Sequence, residues 1–356
     1  MRLEKIMSEV KTLEECVRTL TNRNYSIAVN NGTEALYLSL ISNGIGKGDE
    51  VIVPNFSWVS TASCVSMVGA TPVFCDIDIN TYHLSMQSVR RMCTSRTKAI
   101  IFAHLFGSMC ETQDLKTFCQ NHGILLVEDS CQAFGCSLNG QVAGSIGDIS
   151  TFSFNTNKVV VGLTGGGMVL TDNEEVAERV KKLRHHGHGD GFEMLGRNSR
   201  MSEIDAEHIL KQLEFFDQEC KLREMSVQKY DKYFDLCTQQ KPQGLISNYF
   251  RHTVRFDNKE IRDSIRDIFK LKVHYDRPIS ENSMYLNIDH KKDSCTNAQL
   301  VSDTIVTLPI RPIAQPVDEI YHLLVQKVFA QPSWAVSDKH NEKLIEAFYG
   351  IATDTK

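Results

Sequence analysis

Leu3, Ile6, Met7, Val10, Leu13, Val17 and Leu20 recur at helical spacing, which predicts an amphipathic helix near the start of the sequence. Beyond it, short apolar runs alternate with helical patterns. Strands are predicted at residues 26–29, 51–53, 72–74, 99–103, 124–127, 149–152 and 168–170. Helices are predicted between them at 33–42, 59–67, 86–93 and 114–122. Helix-length connections imply βαβ crossovers and a mainly parallel sheet covered on both faces, hence an α/β fold. In such sheets ligands sit outside the carboxyl ends of the strands, so the residues after each strand have first claim to function.

Residues 174–184 and 202–236 continue as charge-laced helical patterns. Residues 238–248, with Lys241-Pro242-Gln243-Gly244, read as a linker. A strand is then predicted at 249–256, and helices at 260–269, 318–328 and 339–349. The expected organisation is a large domain over 1–237 and a smaller α+β domain over 238–356. At roughly 150 residues per domain, a length of 356 agrees with two.

Composition narrows the class. With 42% hydrophobic and 23% charged residues, the chain is an ordinary globular one rather than disordered or collagenous. Lys and Arg number 39 against 44 acids, so no basic excess is available for nucleic acid. The 11 cysteines form no C-x-x-C and fit reduced thiols better than a disulfide framework. Met1-Arg2-Leu3-Glu4-Lys5 lacks a signal-peptide core, and no apolar run approaches a membrane span. A cytoplasmic protein with a small-molecule substrate, and no nucleic-acid or membrane partner, is expected.

Three motifs follow predicted strands. In Asn30-Asn31-Gly32-Thr33-Glu34-Ala35-Leu36, glycine permits close backbone approach and the helix N-terminus offers an anion seat; a plain capped helix is the alternative. In Val127-Glu128-Asp129-Ser130-Cys131-Gln132, a carboxylate at a buried strand's lip calls for a cation, a metal or a loop-capping role. In Ser153-Phe154-Asn155-Thr156-Asn157-Lys158, small and apolar neighbours shield a lysine, and desolvation favours the neutral amine a nucleophile needs. The triple glycine of Thr164-Gly165-Gly166-Gly167 matches neither a P-loop nor a dinucleotide fingerprint. Together, an anion seat, a strand-end Asp and a shielded Lys are the constellation of a pyridoxal-phosphate enzyme.

The sequence resembles the DegT/DnrJ/StrS family of nucleotide-sugar aminotransferases, which have the aspartate-aminotransferase fold, fold type I. The resemblance runs from about Tyr25 to Arg223, through the three motifs, Gly48-Asp49-Glu50-Val51-Ile52-Val53-Pro54 and Leu195-Gly196-Arg197-Asn198-Ser199-Arg200-Met201-Ser202-Glu203. It implies a large, mainly parallel, seven-stranded sheet domain and a smaller C-terminal domain. It makes Lys158 the cofactor-linked lysine and proton shuttle, and Asp129 the partner of the pyridinium nitrogen. Gln132 would lie near the ring's phenolic oxygen, and Gly32, Thr33 and Ser153 would hold the phosphate. Trp58 would stack on the ring, with a core tryptophan as the alternative. Asn198 would reach the phosphate of a partner subunit's cofactor in a homodimer with shared sites. Arg200 would meet an anionic substrate group or form a structural ion pair, and His104 would be a substrate contact or a structural histidine. His186, in Arg184-His185-His186-Gly187-His188, falls in a substrate-side loop of the family, and no metal is expected there. One departure stands out: Gly165 occupies the place of an acid that follows the family's lysine.

The implied reaction takes an amino group from L-glutamate through the pyridoxal/pyridoxamine phosphate cofactor to a dTDP- or UDP-4-keto-6-deoxyhexose, giving a 4-amino-4,6-dideoxy sugar. The alternatives are a 3-keto-sugar aminotransferase and a cofactor-binding regulatory subunit without turnover. Sugar dehydratases of the same fold carry histidine in place of the lysine, so Lys158 counts against them.

Overall fold

The alternation of apolar runs and helical patterns winds into one sheet in a computed structural model that describes residues 8–233 and 237–310. Helix α1 (Glu9–Thr21) leads to β1 (Tyr25–Val29), α2 (Gly32–Ser42), β2 (Glu50–Pro54), α3 (Ser60–Met67) and β3 (Thr71–Cys75). The alternation continues with α4 (Met86–Met92), β4 (Thr97–Ala103), α5 (Gln113–His122) and β5 (Leu125–Asp129). A small hairpin, β6 (Ser137–Leu138) and β7 (Gln141–Val142), precedes β8 (Ile149–Ser153) and β9 (Gly167–Thr171). Helices α6 (Glu174–Leu183), α7 (Glu203–Leu213) and α8 (Phe216–Tyr233) follow. The remaining elements are β10 (Cys237–Thr238), β11 (Leu245–Ile246), β12 (His252–Arg255), α9 (Lys259–Phe269), β13 (Lys291–Lys292), α10 (Thr296–Thr304) and β14 (Ile305–Leu308). Short polar side chains set the helix starts: Asn31, Ser85, Asn173, Ser202 and Asn258 each accept a hydrogen bond from a first-turn N–H.

Among the described residues, eight strands form the main sheet in the order β1-β9-β8-β5-β4-β2-β3-β13. All seven predicted strands are in it. β9 runs antiparallel to both its neighbours and the other pairings are parallel, so β1, β5 and β8 end at the same edge. β2, β8 and β9 are buried along their whole length, and α2 buries Ala35, Leu36, Leu38 and Leu40 against the sheet. Each of these leucines contributes roughly 1.5–3 kcal/mol on leaving water.

The expected seven strands become eight because β13 joins the edge, parallel to β3, with Lys291 2.7 Å from the buried Glu50 carboxylate. Two residues held by an ion pair leave no apolar pattern to read. The helical pattern over 202–236 divides into α7 and α8, where Phe216 turns edge-on to Phe134 at 5.7 Å. The expected linker over 238–248 is not free. β11 pairs with β6, Ser247 donates to the Gly107 carbonyl at 2.6 Å, and the Asn248 amide donates to the Gln132 and Phe134 carbonyls. β10, β12 and β14 form a separate antiparallel sheet. Leu3, Ile6 and Met7, and the helices expected at 318–328 and 339–349, lie outside the described residues. Among the described residues, no helix is long and apolar enough to cross a membrane.

Candidate active site

A cavity of about 520 Å3 opens where β1, β5 and β8 end. After β1 the chain passes through Asn30 and Asn31 into α2, and the Asn31 side chain accepts from the Glu34 N–H at 2.9 Å. Gly32 sits where a Cβ would lie 2.7 Å from that of Ser153 and 3.1 Å from the Cys131 sulfur. Only glycine lets the end of α2 rest on the ends of β5 and β8. The Thr33 hydroxyl meets that of Ser60 at 2.8 Å. First-turn N–H groups without helical partners, next to the Thr33 and Ser153 hydroxyls, form an anion seat.

Asp129 ends β5 with 7% of its surface exposed. One of its oxygens accepts from the Thr61 hydroxyl at 2.8 Å and the other from the Cys131 N–H at 3.2 Å. Lys158 stands on the loop between β8 and β9, its Nζ 5.0 Å from the centroid of the Phe250 ring. Burial pushes its amine below the ordinary lysine pKa, against the opposing pull of Cys131 and Asp129, while Arg251 adds to the lowering. Gln132 accepts from the Phe106 N–H at 3.0 Å and donates to the Tyr275 hydroxyl at 2.9 Å. Burial, together with the charges of Arg251 and Lys272, holds the His274 imidazole down to about 3, so it is neutral at physiological pH. Its Nδ1 lies 2.7 Å from the Thr307 hydroxyl.

Seven of the sequence-predicted residues therefore line one cavity: Gly32, Thr33, Trp58, Asp129, Gln132, Ser153 and Lys158. Trp58 is 57% exposed, which excludes the alternative of a core tryptophan. Asn198, His186 and Arg200 are exposed on the segment before α7 and do not line this cavity. His104 corrects its expectation as a substrate contact. It is fully buried, its Nε2 is 3.1 Å from Glu128, and its Nδ1 accepts from the Cys110 N–H at 3.0 Å, so neither nitrogen is left for a ligand. Arg251 lines the cavity and was missed by sequence reasoning, because an arginine just before a strand carries no local sign of facing a site. The turn at Gly165 survives the loss of the family acid, with φ of 135° at Gly165 and 159° at Gly166. Among the described residues, no group of three or more His, Cys, Asp or Glu side chains is arranged to hold a metal.

Residues 3–323 match the DegT/DnrJ/EryC1/StrS aminotransferase family, and the chain belongs to it. The chain is 31% identical over 311 residues to the UDP-2-acetamido-2-deoxy-3-oxo-D-glucuronate aminotransferase of Pseudomonas aeruginosa, spanning 85% of this chain and 86% of that protein. It is 39% identical over 213 residues to the GDP-perosamine synthase of Caulobacter vibrioides, spanning 58% and 57%. Among solved structures, DesV of S. venezuelae in complex with a ketimine intermediate has a TM-score of 0.84 at 27% identity, covering 93% of this chain and 90% of that one. The protein is an enzyme of the pyridoxal-phosphate-dependent sugar aminotransferases, with the α/β architecture of fold type I.

Proposed function

We propose that this member of the DegT/DnrJ/EryC1/StrS aminotransferase family moves the amino group of L-glutamate onto the carbonyl carbon of a nucleotide-linked keto-sugar. One observation carries the reading: Lys158 and Asp129 line a single cavity together with the N-terminus of α2. The residues fit pyridoxal phosphate. The cradle between Gly32 and Ser153, which a Cβ would fill, has the donors for a phosphate, and Asp129 has the charge for a protonated ring nitrogen. Trp58 would cover the ring, and Gln132 would stand at its phenolic oxygen. When bound, the cofactor supplies an aldehyde that exchanges amines and a ring that withdraws electrons.

Thr61 and the Cys131 N–H orient the Asp129 carboxylate. Lys158 Nζ, whose pKa burial lowers, takes and returns a proton at the substrate carbon. Phe250 keeps water from one side of that amine. Arg251 offers a positive charge to an anionic group of a substrate. Arg251→Ala is expected to raise the KM of one anionic substrate about tenfold and to leave kcat within about threefold; steady-state kinetics on both substrates checks this. Gly32→Ala is expected to cost about 1–3 kcal/mol through overpacking against Ser153, and to weaken cofactor binding. Thermal melts and pyridoxal-phosphate titration measure the two effects.

The two-part organisation, 1–237 carrying the lysine and 238–356 closing the cavity, draws support from Arg251, His274 and Tyr275 at the cavity wall. In a symmetric homodimer, the exposed Asn198, His186 and Arg200 would serve the partner's site, and concentration-dependent sedimentation would report the dimer. A 4-keto-6-deoxyhexose on dTDP or UDP is the first substrate reading, and the similarity to GDP-perosamine synthase over part of the chain shows that relatives serve other nucleotides. A 3-keto sugar is the second, favoured by the Pseudomonas aeruginosa 3-oxo-sugar aminotransferase, which is similar over 85% of this chain. Assay of a panel of dTDP-, UDP- and GDP-linked 3- and 4-keto sugars with L-glutamate, the products read by mass and NMR, decides between them. If no keto-sugar is aminated and glutamate leaves the yellow colour of the protein unchanged, the proposal fails.

A further inference from the structure

The loop from Lys158 to Gly165 contains three residues that line the cavity, Lys158, Thr164 and Gly165, yet its grip on the fold comes largely from one helix. Asp205 of α7 is buried, and its two carboxylate oxygens accept from the Thr164 N–H and the Thr164 hydroxyl, each at 2.8 Å. Gln212 lies two turns later on the same helix. Its carbonyl accepts from the Val161 N–H at 3.2 Å, and its amide donates to the Val161 carbonyl. Between them, Ile209 stands 3.4 Å from where a Cβ on Gly166 would lie. Positions 205, 209 and 212 share one helix face, so α7 touches the loop on both sides of its turn. The turn itself is tight: the Gly162 N–H donates to the Phe154 carbonyl at 2.7 Å, and a Cβ at Gly162 would collide with the Gly165 carbonyl.

We propose that α7 is a clamp that positions the Lys158 amine, with Asp205 and Gln212 as its two positioning residues. The idea rests on the proposed role of Lys158. Gly165 leaves the loop without an acid of its own, and the carboxylate that holds it comes instead from α7. Ser202, the N-cap of α7, also donates to Asp205 at 2.6 Å, which fixes the carboxylate from the helix side. Burial opposes ionisation of Asp205, but the Ser202 hydroxyl and the Thr164 donors outweigh it and hold its pKa below the usual carboxylate value. The carboxylate therefore stays an acceptor throughout the neutral range. Releasing the clamp would let water reach the lysine amine and let its Nζ wander from the reacting carbon.

Asp205→Ala, Gln212→Ala, the double variant and the conservative Asp205→Asn test the clamp. Each alanine variant is expected to lower kcat about tenfold, and the pair about a hundredfold, with KM within about twofold of wild type. Hydrogen exchange at the Val161 and Thr164 amides should quicken by about tenfold or more while the amides of β5 and β8 keep their protection. The pH midpoint for capture of pyridoxal phosphate by the cofactor-free protein should rise toward that of an ordinary lysine, because the amine regains water. Asp205→Asn, which keeps an acceptor for the Thr164 N–H, should recover part of the loss. A double variant with wild-type kcat and an unmoved capture midpoint overturns the clamp, as does a loss of activity that only follows a loss of folded protein. If the wild type captures no pyridoxal phosphate, it is the proposed function that fails, and exchange at Val161 and Thr164 still judges the clamp.

Discussion

Lys158→Ala is expected to reduce amino transfer by about 10³-fold or more while the protein stays folded. A positioned acid–base group contributes about 10²–10⁴-fold by itself, and the variant also loses the amine that exchanges with the cofactor aldehyde. The fold should survive because Lys158 is only partly buried and its Nζ faces a cavity and the Phe250 ring rather than a packed core. The anion seat at α2 and the Asp129 carboxylate remain, so the variant should still bind pyridoxal phosphate, and borohydride should no longer fix its mass to the chain. Lys158→Arg should not restore turnover, since a guanidinium stays protonated throughout the accessible range. In the wild type, the lowered lysine pKa means that the neutral amine is already present below the pH at which an exposed lysine loses its proton. A Lys158→Ala variant with wild-type rates would remove the chemical basis of the proposed reaction.

Glu128→Ala is expected to cost about 3–5 kcal/mol of stability, the range for removing one partner of a buried charged network. Glu128 is fully buried on β5, one residue before Asp129. One oxygen lies 3.1 Å from His104 Nε2 and accepts from the Ser130 hydroxyl and the Gly144 N–H at 2.7 and 2.6 Å. The other accepts from the Ile146 and Gly147 N–H groups and the Ser150 hydroxyl at 2.8, 2.9 and 2.8 Å. Burial by itself would raise its pKa, but His104 and the Gly144 and Gly147 N–H groups hold the carboxyl well below the usual range. A depressed folded pKa stabilises the protein above the unfolded carboxylate value, and that stability is lost as pH falls through it. Wild type should therefore lose stability below about pH 4–5, and Glu128→Ala should lose less over the same interval. Denaturant melts of both proteins between pH 3 and 7 would show the difference, and equal midpoints at neutral pH would refute the network's weight.

Much of this enzyme was legible in its sequence because the signals were local. Seven apolar runs of strand length, separated by helical patterns, leave few arrangements other than a wound parallel sheet, and all seven lie in one. Gly32, Asp129 and Ser153 follow or end such runs, and a parallel sheet brings those ends to one edge; their gathering around a cavity with Lys158 follows from the winding. Side chains whose role depends on distant residues were not legible. His104 follows β4 as a ligand would, but Glu128, 24 residues away, turns it into part of the core. Arg251 and the two grips of α7 on the lysine loop arise from contacts across 41 and more residues, which carry no periodicity or local propensity. Sequence by itself determined seven strands of the main sheet, the helices between them, their order and the chemistry at the strand ends, since each depends on neighbours along the chain. Only the tertiary structure decided which polar groups face the cavity and which are consumed in holding it, because burial and hydrogen bonding are settled by whatever packs alongside.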